Sequence, residues 1–560
     1  MAENPLVLGL DFGTDSVRSV VVDSSTGEEI AKGVSEYTRW KEGKYSNPAK
    51  NRFRQHPLDY LEAMVSSVKD TLTKLPSKAV FKIDGIGIDT TGSTPCPVDR
   101  EGRPLALNPR FSDNPNAMFI LWKDHTAVQE AEEINRAAHI WKYEDYTRFS
   151  GGAYSSEWFW SKILHVIRED SEVRESAWSW VEHCDWIPAL LTGTTDPSLM
   201  KRSRCAAGHK AMWHALWGGL PPEEFLKTID PLLKGLRERL YSKTATSDTS
   251  AGRLTEEWAE KMGLKPGIAV AVGAIDAHAG AVGGGVREGV LSKVMGTSTC
   301  DMLVAPYSKI GNTCIQGISG QVDGSIVPGM IGLEAGQAAF GDIYAWYREI
   351  LSWPLKTLYK GLTCLSPKER EALTDESEKK LLPTLEKEAE RISPKETHLL
   401  ALDWFNGRRT PYGDQNLKGA IMGLRLGTTA PAIYRALVEA TAFGAKAILD
   451  HFSKHRIRID EVVALGGIAK KSSFVMQVMS DVLGMPISVV ASEETCALGS
   501  AMYAAVASGI YPTVPEAQNR MGGGIDKIYH PDKNKSKTYN EFYRKYRNFG
   551  RLLEERLKKL

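Results

Sequence analysis

Short apolar runs that end at glycine-rich or acidic turns recur along the chain and predict buried strands. The run from Leu6 to Val22 is broken by one small turn and predicts a hairpin, while Ile83–Asp89, Gly267–Val272 and Val462–Leu465 predict single strands. Residues 431–450 repeat apolar positions with the period of a helix. Strands that alternate with helices in both halves of the chain favour the α/β class.

Two segments about 280 residues apart repeat one pattern of strand, turn and strand. The first contains the turn Gly13-Thr14-Asp15-Ser16, and the second contains Gly296-Thr297-Ser298. Turns of this composition expose backbone N–H groups and hydroxyls, which can bind a phosphate group. Because one copy opens each half of the chain, the repeat predicts two related lobes that close on one nucleotide.

Length and charge limit the remaining possibilities. A chain of 560 residues is too long for one core, and three glycines at 283–285 suggest two domains, 1–288 and 289–560. The formal net charge of +1 argues against nucleic acid as a main partner. The longest apolar run is interrupted by Asp276 and His278, so a membrane span is not expected, and the scattered cysteines fit reduced thiols. We therefore expect a cytoplasmic enzyme with small-molecule partners, with a homodimer left open.

Two aspartates follow predicted strands directly. Asp11 precedes the first turn, where a carboxylate can either cap the turn or hold Mg²⁺, mainly through water. Asp276 stands between a strand and a helix of small residues, where it can either cap the helix or accept a proton. The local pattern by itself favours the cap at Asp276.

The order and spacing of several motifs resemble the FGGY carbohydrate kinases, a family with the actin-like ATPase fold. The motifs are the turns at Asp11–Arg18 and Gly296–Thr299, the glycine pair Gly466-Gly467, the small-residue helix Leu498–Tyr503, and the signature at Gly419–Leu424 and Arg435–Glu439. Ala432 departs from that last signature, where the family usually has a polar residue or histidine, and residues 155–162 only loosely echo the N-terminal signature. The resemblance implies two ribonuclease H-like lobes with a cleft between them.

Four loop strings narrow the resemblance to one branch of that family. They are Thr91–Pro95, Asn114–Met118, Leu121–His125 and Arg204–Lys210. This likeness covers nearly the whole chain and implies ATP-dependent phosphorylation of L-ribulose at its 5-hydroxyl, as part of L-arabinose catabolism. Alternatives are a kinase for D-ribulose, xylulose or glycerol, an actin-like or chaperone-like ATPase, and a catalytically silent sugar sensor.

The resemblance also assigns roles to particular residues. Asp276 becomes the general base that accepts the hydroxyl proton, and Asp11 becomes the Mg²⁺ ligand. ATP is expected to contact Gly13, Thr14, Asp15, Ser16, Arg18, Gly296, Thr297, Ser298, Gly336, Gln337, Gly466 and Gly467. The sugar is expected to contact Thr94, Pro95, Cys96, Trp122, Asp124, Lys210, Asp276 and Glu334. Glu334 lies among small and apolar residues, so its carboxylate needs a partner, either a sugar hydroxyl or a buried arginine.

Overall fold

The computed structural model describes residues 4–311, 313–361, 364–397 and 399–557. The strands, numbered in chain order, are β1 (Leu6–Phe12), β2 (Ser16–Asp23), β3 (Glu29–Glu36), β4 (Ser46–Asn47), β5 (Arg52–Gln55), β6 (Ile83–Thr90), β7 (Pro95–Val98), β8 (Phe119–Ile120), β9 (Ser179–Glu182), β10 (Ser250–Arg253), β11 (Ala269–Ala271), β12 (Ala274–Ile275), β13 (Val290–Met295), β14 (Thr299–Pro306), β15 (Gly320–Asp323), β16 (Met330–Ala335), β17 (Leu400–Leu402), β18 (Ala420–Met422), β19 (Glu461–Leu465), β20 (Ile487–Val490) and β21 (Ile525–Tyr529).

The helices are α1 (Thr38–Lys41), α2 (Pro57–Thr73), α3 (Val128–Ile140), α4 (Phe159–Glu169), α5 (Ser171–Ser176), α6 (His183–Thr192), α7 (Arg204–Lys210), α8 (Glu223–Ile229), α9 (Glu256–Met262), α10 (Asp276–Gly283), α11 (Tyr307–Ile310), α12 (Gly341–Leu358), α13 (Pro367–Arg391), α14 (Pro394–Thr397), α15 (Ala430–Lys454), α16 (Gly467–Lys471), α17 (Ser473–Leu483), α18 (Thr495–Ala507), α19 (Val514–Met521) and α20 (Lys533–Leu557). Within the described ranges, no helix is both long enough and apolar enough to cross a membrane.

Two compact units are distinguished by which residues contact one another. The first consists of residues up to Glu288 together with Met302–Glu334 and Ala491–Gly524. The second consists of Gly289–Asp301, Ala335–Val490 and the residues from Ile525 onward. The predicted domains treat each half of the chain as continuous, whereas two segments of the second half belong by their contacts to the first unit.

A mixed sheet in the order β10-β11-β6-β1-β2-β3 forms the centre of the first unit. β1 and β2 are antiparallel and form the predicted hairpin, which is confirmed. β1 and β6 are parallel, with Asp11 opposite Asp89, and β12 pairs with the last two residues of β6. The carboxyl ends of β1, β6 and β12 therefore meet at one edge of the sheet, and Asp276 follows β12 there.

Helix α18 packs directly against the backbone of β1, β6 and α10. This close approach requires glycine, since a Cβ at Gly87 would lie 1.8 Å from the carbonyl oxygen of Ser500. A Cβ at Gly499 would likewise lie 1.8 Å from the carbonyl oxygen of Ala279. Small residues on both sides thus place α18 next to the edge of the sheet where the aspartates lie.

In the second unit, β13, β19 and β20 form a parallel arrangement that β21 extends in the antiparallel direction. The turn at Gly296–Ser298 joins β13 to the first residues of β14, and the Gly296 N–H donates to the Ser298 carbonyl at 3.0 Å. Helices α15, α17 and α20 pack on one another beside these strands. The predicted helix at 431–450 is confirmed as part of α15.

Candidate active site

Two aspartates from neighbouring parallel strands form the centre of the site in the first unit. Asp11 and Asp89 are both buried, and each presents an oxygen within 4.8 Å of the other and of Cys496 Sγ. Arg18 donates to Asp11 Oδ2 at 3.3 Å. β1 and β6 are parallel, and Asp11 lies opposite Asp89 in their register. The two carboxylates therefore lie side by side near the carboxyl ends of the two strands.

Burial and mutual repulsion control the charge on this pair. Burial raises the pKa of Asp11, and the Arg18 guanidinium opposes that rise. Burial and the neighbouring charge of Asp11 raise the pKa of Asp89 well above the ordinary range. Ser500 Oγ donates to Asp89 Oδ2 at 2.6 Å, while Asp89 Oδ1 has no partner among the described residues. Asp89 is therefore the member of the pair that holds a proton when no cation is nearby.

The same pair suits a hard divalent cation. Carboxylate oxygens are the ligands that Mg²⁺ prefers, and the unpartnered Oδ1 of Asp89 is available to accept from a metal-bound water. A cation at this edge would also offset the repulsion between Asp11 and Asp89. Cys496 is a poor ligand for Mg²⁺, because thiols favour softer metals.

Asp276 is the first residue of α10 and is only partly accessible. Its Oδ1 accepts the N–H of Ala277 at 2.6 Å, and Ile275 occupies the N-cap position. Burial and the charge of Asp11 raise the pKa of Asp276 to about 7, against the opposing effects of the Ala277 N–H, His278 and Lys210. A carboxyl group with such a pKa can take up a proton near neutral pH.

Lys210 and Glu334 form a buried ion pair in the same unit. Lys210 Nζ donates to Glu334 Oε1 at 2.7 Å and to Oε2 at 2.9 Å. The predicted partner of Glu334 was a sugar hydroxyl or an arginine, and in the structure the partner is this lysine. Burial raises the pKa of Glu334, but Lys210 and two histidines outweigh it and hold the pKa well below its usual range.

The two histidines beside Glu334 differ in charge. His278 Nε2 lies 3.3 Å from Glu334 Oε2, and its Nδ1 lies 3.1 Å from Cys205 Sγ. Burial lowers the pKa of His278, yet Cys205 and Glu334 outweigh it and raise the pKa to about 9. Burial and the nearby His278 lower the pKa of His209 to about 4. The sequence predictions did not include either histidine.

The other predicted sugar contacts lie mostly inside the protein. Asp124 is fully buried, and its oxygens accept from the Phe53 N–H at 2.7 Å, from Arg54 and from Thr126. The Thr94 N–H donates to Glu182 Oε2 at 2.7 Å. Fully buried residues among the predicted contacts are Thr94, Cys96 and Asp124, and Pro95 is also buried in β7.

Lys162 holds two of the predicted sugar loops together. Its Nζ donates to the carbonyl oxygens of Ser93 and Leu121, each at 2.8 Å. Burial lowers the pKa of Lys162 to about 8, and burial raises the pKa of Glu182 to about 7. Sequence reasoning missed this network because its members are far apart in the chain, although Lys162 ends the segment that resembles the N-terminal family signature.

Two indoles donate hydrogen bonds to the first of the two predicted phosphate turns. Trp122 Nε1 donates to Thr14 Oγ1 at 3.0 Å, and Trp40 Nε1 donates to the exposed Asp15 at 2.7 Å. Because the Thr14 hydroxyl accepts from Trp122, its own proton is free to point toward a ligand. The Gly13 N–H donates to the Ser16 carbonyl at 3.0 Å and closes the turn.

The second predicted phosphate turn and the glycine pair lie in the second unit. Gly296 and Thr297 are exposed, whereas Gly336 and Gln337 are buried. Gly466 has a φ of +97°, and a Cβ there would meet the Met295 carbonyl oxygen at 2.6 Å, so only glycine suits the position. The structure therefore presents the turn and the exposed Gly467 at the surface.

Gln337 has a supporting position in the structure. Its Oε1 accepts from Lys293 at 3.2 Å, and its Nε2 donates to Asp403 and to the Thr441 carbonyl, each at 2.9 Å. Lys293 also forms a buried ion pair with Asp301 at 2.8 Å. The Gln337 side chain thus stabilises the strands that carry the second turn, and its polar atoms already have protein partners.

Two solved structures share the fold of this chain. The xylulose kinase from Rhodospirillum rubrum superposes with a TM-score of 0.76 at 18% identity, covering 99% of this chain and 100% of that one. The glycerol kinase with ADP from Plasmodium falciparum gives a TM-score of 0.71 at 17% identity, covering 97% and 98%. The chain therefore has the same two-unit α/β fold as these two structures, and the predicted fold class is confirmed.

Sequence comparison gives the family. The models for the N-terminal and C-terminal domains of the FGGY family of carbohydrate kinases match residues 6–283 and 291–508. A protein of Vibrio parahaemolyticus named ribulokinase is 49% identical over 98% of this chain and 96% of its own length. A ribulokinase of Shouchella clausii is 38% identical over 96% of this chain and 93% of its own length. The chain belongs to the FGGY family of carbohydrate kinases, as the sequence motifs predict.

Proposed function

We propose that this chain transfers the γ-phosphoryl group of ATP to the 5-hydroxyl of L-ribulose, giving L-ribulose 5-phosphate for L-arabinose catabolism in the cytoplasm. The observation that carries the proposal is the meeting of three strand ends, which places Asp276 at the same edge as Asp11 and Asp89. The names of the relatives from Vibrio parahaemolyticus and Shouchella clausii support the choice of sugar.

In the proposed reaction the 5-hydroxyl oxygen attacks the γ-phosphorus, and the bond to the bridging oxygen of ADP breaks. Asp276 accepts the hydroxyl proton, so the products are the phosphate ester and ADP. Phosphoryl transfer has a loose transition state, in which the hydroxyl becomes acidic only as the new bond forms. Asp276 therefore orients the hydroxyl early and takes its proton late.

Asp11 and Asp89 would hold Mg²⁺ in this proposal, chiefly through bound water. The cation would neutralise charge that develops on the phosphate oxygens. Thr14 and the backbone N–H groups of the first turn are proposed to bind phosphate groups, as is the second turn at Gly296–Ser298. The exposed Gly467 leaves room for the adenosine to approach the backbone.

The Lys210–Glu334 pair is proposed to bind sugar hydroxyls. Lys210 can donate a hydrogen bond to a hydroxyl oxygen, and the ionised Glu334 can accept one from a hydroxyl group, while each keeps its charged partner. His278 Nε2 lies 3.3 Å from Glu334 Oε2 and helps to keep this carboxylate ionised. This arrangement suits a substrate made mostly of hydroxyl groups, because each polar atom of the sugar meets a charged or polar group.

A substrate panel tests the proposed function. ADP release is measured with L-ribulose, D-ribulose, D-xylulose and glycerol at equal ATP and Mg²⁺ concentrations, with a reaction lacking sugar as the control. We expect kcat/KM for L-ribulose to exceed the others by about tenfold or more, since one well-placed hydroxyl contact contributes about that factor. Equal values across the panel would exclude the ribulose assignment. ATP hydrolysis that no sugar changes would point to an ATPase that acts on a partner.

A further inference from the structure

A cavity of about 200 Å³ lies within the second unit, bordered by the loop after β17 and by helices α15 and α20. Four guanidinium groups line it: Arg408 and Arg409 from the loop, and Arg547 and Arg551 from α20. Neither the phosphate turn at Gly296–Ser298 nor the glycine pair lines this cavity. Of the predicted ATP contacts only Gln337 borders it, and the polar side-chain atoms of Gln337 already bond to Lys293, Asp403 and the Thr441 carbonyl.

The acidic groups at the cavity do not balance its arginines. Glu554 is engaged by Arg408, through distances of 2.9 and 3.2 Å to its two oxygens. Asp403 accepts from Tyr546 Oη at 2.6 Å and from Gln337 at 2.9 Å, and burial raises its pKa. Both carboxylates are thus already satisfied by protein donors.

Arg547 and Arg551 are left without a counter-charge. Over the described ranges of the chain, neither forms a hydrogen bond or an ion pair, and both are exposed at the cavity mouth. They are four residues apart on α20, so their guanidinium groups lie on the same face of the helix and repel each other. An anion between them would remove that repulsion.

We propose that this cavity binds a small phosphate-type dianion, either inorganic phosphate or the phosphate group of a small ester. Arginine presents a planar set of donors that matches two phosphate oxygens at once. A cavity of about 200 Å³ has room for a phosphate group between these side chains. Arg408 is held in place by stacking on Trp404, 5.1 Å from the ring centre, which gives the site a rigid wall.

Calorimetric titration of the full chain tests this site. Sodium phosphate and glycerol phosphate are titrated separately at constant ionic strength, with saturating ADP and Mg²⁺ present so that the nucleotide site is filled. We expect one saturable site per chain, and we expect the double variant Arg547→Gln/Arg551→Gln to weaken it at least tenfold. The arm that binds more tightly identifies the free anion or the ester as the better ligand.

The matched control is the double variant Arg544→Gln/Arg556→Gln, which removes the same charge from exposed positions of α20 that do not line the cavity. We expect it to change the dissociation constant less than twofold. Equal weakening by the two double variants would show a general charge effect and overturn the proposal. The absence of saturable binding to the parent chain would overturn it as well. Unchanged circular dichroism and melting temperature establish that both variants are folded.

Discussion

Asp89 lies at the centre of the candidate site but was not among the residues predicted from the sequence. Leu8-Gly9-Leu10-Asp11 and Ile86-Gly87-Ile88-Asp89 have the same pattern of apolar, glycine, apolar and acidic positions, and the strand register places them side by side. That likeness is a signal for a carboxylate pair, but local reasoning selected Asp11 alone because only it precedes a phosphate turn. His278 gave no comparable signal, since its partner Glu334 lies 56 residues further along the chain.

Replacing Asp276 with asparagine tests the proposed base. The side chain keeps its shape and its contact with the Ala277 N–H but loses the ability to accept a proton. General-base catalysis contributes roughly 100-fold to 10,000-fold, so we expect kcat to fall by at least about 100-fold. The melting temperature and the dissociation constant for ADP should stay close to those of the parent. A kcat within tenfold of the parent would exclude Asp276 as the base.

The raised pKa of Asp276 also predicts a pH dependence. The base must be deprotonated, so kcat/KM for the sugar should rise with pH and level off once Asp276 is ionised. Burial and the charge of Asp11 raise the pKa of Asp276 to about 7. A cation at Asp11 would move the rising part of the pH profile to lower pH, but the effect of burial would remain. We therefore expect kcat/KM to rise between about pH 5 and 7, above the ordinary aspartate pKa of about 3.9. A profile that is flat from pH 4.5 to 8 would contradict this assignment.

At the scale of elements, helix α18 explains why glycines recur on β1, β6 and α10. The sequence predicts α18 as a helix of small residues, and the structure shows the reason for their size, since the backbones it contacts leave no room for a Cβ. The elements themselves were predictable from their periods and turns, because those signals are local. Their partners were not, since the pairing of α18 with β6 joins segments about 400 residues apart.

Substituting Gly499 with alanine measures this close packing. The new Cβ would lie 1.8 Å from the backbone oxygen of Ala279. Because the contact is with backbone, one of the two helices would have to shift to relieve it. Overpacking of this kind costs about 1–3 kcal/mol, which exceeds the roughly 1 kcal/mol that alanine adds through helix propensity. We expect a lower denaturant midpoint than in the parent. Gly427→Ala, in a turn, is the control for a methyl group that meets no atom within 4 Å. A more stable Gly499→Ala variant would contradict the packing argument.

At the scale of the whole molecule, the two compact units defined by contacts are not continuous halves of the chain. Residues 302–334 and 491–524 contact the first unit, although they follow the start of the second. These two segments bring Glu334 to Lys210 and Ser500 to Asp89, so the candidate site of the first unit is incomplete without them. The sequence predicts the division at a glycine-rich stretch. This signal is local, so it does not indicate that later segments of the chain fold back onto the first unit.

A fragment of residues 1–288 should therefore fail to fold on its own. It lacks α18, whose Leu498 and Met502 are fully buried, and burying two such side chains stabilises the folded state by about 3–6 kcal/mol. Most domains have a net stability of only about 5–15 kcal/mol, and the loss of α18 also exposes the faces of β1 and β6. We expect the fragment to melt without a cooperative transition when followed by circular dichroism. Co-expression with residues 289–560, which supply α18 in a second chain, should restore a cooperative transition. If the fragment alone melted as sharply as the full chain, residues 1–288 would form a stable domain without the later segments, and this prediction would be wrong.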